Sequence, residues 1–126
     1  MEAPSQPQVF IVGEGFIAGQ AANAEIDLML GHDTVLCGDK AIRGGSTYEV
    51  APDYCTNEVL TLEKLAEIGV HPVVLRTEPV SKKRPTGFVR EWVSTMPFGD
   101  GIAITKPFPT RSEALACALW FALADK

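Results

Sequence analysis

The chain has 126 residues, the size of one ordinary domain, and 46% of them are hydrophobic, enough to fill a core without disulfide or metal staples. A net charge of −5 argues against general nucleic-acid binding, and no apolar run approaches the roughly 18 residues of a membrane span. Cys37, Cys55 and Cys117 are odd in number and lack metal-ligand spacing, which points to a reducing compartment and a cytoplasmic protein.

Residues 1–8 are proline-bearing and lack the basic start of a signal peptide. They read as a flexible N-terminal arm ahead of a single domain over 9–126. Val9-Phe-Ile-Val12 is a short apolar strand. A helix is expected over 16–30. Gln20, Asn23 and Asp27 lie on one face of it, Ala18, Ala22, Ile26 and Met29 lie near the other side, and Gly31 stops it in the left-handed conformation. Thr34–Cys37 reads as a second strand. Residues 38–53 are rich in turn signals, with a further strand at Thr47–Val50.

A second helix is capped by Thr56 or Asn57, with Glu58 in the first turn suiting the helix dipole. Val59, Leu62 and Ala66, with Leu65 and Ile68, form its apolar face. Gly69 ends it and Val70 makes the contact that follows a glycine cap. Pro72–Arg76 reads as a strand, and Pro79–Pro85 as a basic loop. Residues 87–96 and 101–106 form a hairpin with Phe88, Trp92 and Met96 on one face, joined by Pro97-Phe-Gly-Asp-Gly101.

Thr110 and Glu113 form a capping box. Every residue from Ala114 to Ala124 is then apolar, so this last helix must be buried on several sides, inside the domain or against a second copy. A sheet in so small a domain is expected to cover only part of it, which points to a homo-oligomer built through Ala114–Ala124. The elements add up to an α+β domain. Three helices pack on a small mixed or mainly antiparallel sheet in a sandwich-like arrangement, closing with a β-hairpin and the buried helix.

Gly13-Glu-Gly15-Phe-Ile-Ala18 fits the G-x-G-x-x-G/A pattern between a strand and a helix, where glycines allow a tight turn and a helix N-terminus binds pyrophosphate. On that pattern the chain is a truncated dinucleotide-binding, Rossmann-like module using Gly13, Gly15 and Ala18. Against it, Glu14 places a carboxylate where pyrophosphate would sit, and no tight binding of NAD or FAD is expected. The other reading is a glycine turn that lets a helix pack closely on a strand. Lys40, Arg43, Gly44 and Gly45 form a candidate anion-binding nest, with charge added by Lys82, Lys83 and Arg84 and stacking by Tyr48. Residues 1–39 hold six acids and no Lys or Arg, so this basic cluster stands out. His32, Asp33 and Cys37 lack the spacing of a catalytic set, and two distant histidines with no cysteine cluster do not suggest zinc. No catalytic residue, metal or cofactor is assigned.

From Ala51 onward the order of features resembles the small phage ABA-sandwich family. Ala51-Pro-Asp-Tyr-Cys-Thr56 leading into Leu62-Glu-Lys-Leu65 is similar to that family's approach to its central helix. Arg90-Glu-Trp-Val93 and Gly101-Ile-Ala-Ile104 are similar to its tryptophan-bearing hairpin. Thr110 through Leu123 resembles its closing helix, and Glu25–Gly31 its short N-terminal helix. The resemblance covers roughly residues 22–124. It implies a phage or prophage accessory protein with helices flanking a sheet. Such a protein is expected to be a non-enzymatic binding factor in the host cytosol that counters a defence by binding a host protein or a phosphate-bearing signalling nucleotide.

Overall fold

A computed structural model describes residues 8–44, 49–76 and 91–125. Residues 1–7 of the expected N-terminal arm, Gly45, Tyr48, Phe88, Arg90 and the basic residues Lys82, Lys83 and Arg84 lie outside the described residues, while the Gln8 carbonyl accepts from the Ile102 N–H at 2.8 Å and so belongs to the fold. The elements run β1 Val9–Val12, α1 Gln20–Met29, β2 Thr34–Cys37, β3 Lys40–Arg43, β4 Glu49–Val50, α2 Glu58–Glu67, β5 Val73–Arg76, β6 Trp92–Phe98, β7 Gly101–Thr105 and α3 Arg111–Ala124. The fold is α+β, ending in the expected hairpin and helix.

The strands form two sheets rather than one. The larger has the order β1-β7-β6-β5, and the smaller β2-β3-β4. β5, β6 and β7 form an antiparallel meander, and β1 adds at the edge, parallel to β7 with Val9 opposite Ile102. α3 packs on one face of the larger sheet. α1 and α2 pack on α3, and α1 also covers β2 and β3. α3 is therefore the centre of the molecule. Ala114 through Leu119 are all completely buried within one chain. Ala118 meets Val12, Met96 and Ala103 of the sheet. Leu115 and Leu119 meet Phe16, Ile26, Tyr54 and Leu65. Beyond that stretch, Phe121 packs on Phe98 with centroids 5.3 Å apart, and the Trp120 indole N–H donates to Glu25 at 2.8 Å. The cover that the apolar helix demands is thus largely supplied by its own chain.

Local signals explain most element ends. The Thr110 hydroxyl accepts from the Glu113 N–H at 3.1 Å, and the Asn57 side chain accepts from the Leu60 N–H at 3.1 Å. At the end of α1, His32 N–H donates to Asp27 O and Gly31 N–H to Leu28 O. The same paired pattern closes α2, from Val70 to Leu65 and from Gly69 to Ala66. Gly31 at φ 102° and Gly69 at φ 77° provide the left-handed residue each motif needs.

Three expectations are corrected, and the inner face of α1 is defined. β3 was not anticipated: Gly38-Asp39 is a two-residue hairpin turn that returns the chain as Lys40–Arg43. α1 starts at Gln20, not 16, because the chain first makes a turn at 13–16 and an irregular passage to Gly19. The polar stripe of α1 points inward: Asn23 and Asp27 are fully buried. The face of α2 is rotated. Thr61 and Leu65 are buried while Val59, 68% exposed, and Leu62 face outward.

Candidate functional site

The first concentration of chemistry is the buried polar stripe of α1. Asp27 accepts from the Thr34 hydroxyl at 2.5 Å, the Tyr54 hydroxyl at 2.6 Å, and Arg43 Nε and Nη2, both at 2.8 Å. Asn23, one turn earlier, donates to Asp53 at 2.9 Å and accepts from the Cys55 N–H at 3.1 Å. Gln20 accepts from the Ala41 N–H at 3.3 Å. One helix face thereby fastens the small sheet and the 51–55 loop to the body of the fold.

Burial alone would raise the pKa of Asp27. The hydrogen bonds from Arg43, Thr34 and Tyr54, with the guanidinium charge, outweigh that and hold its carboxyl well below the ordinary carboxylate range. The bond to Asp27 keeps Arg43 charged above its usual range. Burial, reinforced by the bond to Asp27, pushes the Tyr54 hydroxyl well above an ordinary phenol. Such a tyrosine does not readily surrender its proton, and a carboxylate accepting four bonds has little basicity left. The cluster is built to hold rather than to react.

That arrangement bears directly on the candidate anion nest. The Arg43 guanidinium is forked onto Asp27, and its remaining nitrogen, Nη1, lies 3.8 Å from Glu49. The Gly44 N–H donates to Asp33 O at 2.6 Å rather than outward. Lys40 is exposed at the start of β3, beside the hairpin turn. Of these three donors, Arg43 and the Gly44 N–H are thus engaged within the protein itself.

The Gly13–Ala18 pattern is also resolved in physical terms. β1 is an edge strand in a different sheet from β2, so the parallel β1–β2 pair of a dinucleotide fold is absent. α1 opens after Gly19, not at the glycine turn. Gly13, at φ 83°, is buried where an added Cβ would collide with Cys117 Sγ of α3. Gly15 faces Trp120 across ordinary contact distance. The glycine turn is a packing device that brings α3 against the chain leaving β1.

The second concentration was hidden from sequence reasoning because its parts are distant in the chain. Two guanidinium groups approach the Trp92 ring at the start of β6. Arg76 from the end of β5 is 5.5 Å from the ring centroid, and Arg111 from the first turn of α3 is 5.3 Å away. Arg111 also donates to Glu58 at 2.7 Å. Arg76 makes no ion pair among the described residues. Phe108 bridges to Trp92 through two backbone hydrogen bonds and carries Lys106 5.6 Å from its ring. β5 ends at Arg76 and β6 begins at Trp92, and Lys82, Lys83 and Arg84 fall between them in the sequence.

Among the described residues no cluster of His, Cys, Asp and Glu is arranged to hold a metal, and no helix is long and apolar enough to cross a membrane. In comparison with known proteins, no family model, curated protein or solved structure matches the chain.

Proposed function

We propose that the chain is a non-enzymatic binding protein of phage or prophage type, a cytosolic counter-defence factor that takes a phosphate-bearing small molecule from its host. Support comes from the placement of Arg76 and Arg111 at the Trp92 ring, beside the ends of the two strands between which the basic residues fall in the sequence. An aromatic face with guanidinium groups beside it offers both a stacking surface and bidentate phosphate contacts. The candidate anion site therefore moves from Lys40, Arg43 and Gly44 to this end of the larger sheet.

Trp92 supplies the probe. Titration with cyclic dinucleotides, ADP-ribose and pyrophosphate should change tryptophan fluorescence saturably for at least one of them. Arg76→Ala should weaken that binding about tenfold, the scale of one charge-assisted hydrogen bond. Added salt should weaken it further. No response from any of these ligands, together with saturable binding of an acidic host protein lost in Arg76→Ala, would replace the small molecule by a protein partner.

A further inference from the structure

The larger sheet has a second face that no helix among the described residues covers. Register and alternation place nine side chains on it: Val9 and Ile11 of β1, Ile102 and Ile104 of β7, Val93, Thr95 and Pro97 of β6, and Val73 and Leu75 of β5. They form continuous cross-strand rows, one of which runs Ile11, Ile104, Thr95, Val73 across all four strands. Eight of the nine are apolar and none is charged. Val9, Ile11, Val73, Leu75 and Ile102 are 37–60% exposed. The opposite faces of the same strands are covered by α3, so both faces of the sheet have the composition of a buried layer.

We propose that this face binds the same face of a second copy, making a two-fold dimer in which two four-stranded sheets stack. Three observations choose that occupant. The five exposed side chains alone present on the order of 400 Å² of apolar surface, already a large patch for a monomer. Pairing two such faces, with their partly exposed neighbours, removes on the order of 1,000 Å², the lower bound for a specific stable interface. The face carries no charge in a chain of net −5, so two copies meet there without opposing like charges or leaving an ion unpaired. Rows of β-branched residues, moreover, suit aligned sheet packing. The interface is distinct from α3, whose central stretch is already enclosed, and it leaves the Trp92 ring on the helix side of the sheet.

Sedimentation equilibrium of the wild-type chain from about 1 to 200 μM should show a monomer–dimer equilibrium. Ile11→Asp and Val73→Asp, on opposite edge strands, should each raise the dimer Kd more than about a hundredfold, because each would bury a charge without a partner. Val59→Asp, on the outward face of α2, should leave Kd unchanged. Far-UV circular dichroism checks folding in each variant. Carbene footprinting of the wild type needs no variant: Ile11 and Val73 should be labelled less in the dimer than after dilution. A monomer throughout this range would overturn the proposal, as would a dimer that persists in both variants or a footprint elsewhere.

Discussion

At the scale of single residues the strongest dependence is on Asp27. Its side chain is fully buried while that of Arg43 is 23% exposed, so removing the carboxylate strands a cation that only partly reaches water. Asp27→Asn should destabilise the fold by about 3 kcal/mol, and Tyr54→Phe by about 2 kcal/mol, in urea unfolding. The pH dependence has a defined sign. A carboxyl held lower in the folded than in the unfolded chain contributes its stability above about pH 3.9. That contribution falls away as pH drops below this value toward the folded one. The acid limb of the stability curve should therefore flatten in Asp27→Asn when measured from pH 6 to pH 2. The cysteines divide by burial: it pushes Cys55 up to about 11 and Cys117 up to about 12, while Cys37 is exposed. A thiol reagent at pH 7.5 should modify one cysteine in the native protein and three after denaturation.

At the scale of elements, legibility followed the range of the cause. Thr110 with Glu113, and Gly69 with Val70, announce α3 and the end of α2 because a cap is decided within a few residues. β2 and the final hairpin are legible for the same reason. The facing of a helix is decided by what lies across from it. Val59 and Leu62 look like core in the sequence, yet α3 meets the Thr61–Leu65 side, and Thr61 hides its hydroxyl in bonds to the Tyr54 and Asn57 carbonyls. Gln20, Asn23 and Asp27 look solvated because their partners, Ala41, Asp53 and Arg43, lie 16–30 positions away. The pairing of Trp92 with Arg76 and Arg111 is hidden for the same reason. The helix assignment yields a direct check: Leu65→Ala should cost about 3 kcal/mol, and Val59→Ala less than about 0.5 kcal/mol. Gly13→Ala should be strongly destabilising, and combining it with Cys117→Ala should recover the part due to the collision with Sγ, leaving the part due to φ.

At the scale of the whole molecule, the most telling feature is the pairing of β1 with β7. Among the described strands Val9–Val12 is made before all the others and Gly101–Thr105 after them, and α3, around which the rest is organised, follows both. During synthesis, therefore, β1 waits for its partner strand, and the apolar side chains of 9–12 for the helix they meet, until residues 101–124 have been made. α1, β2 and β3 can draw together early, since their contacts are local, but the larger sheet closes only afterwards. This is a high-contact-order ending, slow compared with helix or hairpin formation. During that interval the apolar N-terminal segment is a natural ligand for chaperones. Chains stalled before residue 101 should be sensitive to protease at 9–12, and that sensitivity should vanish only once α3 has emerged.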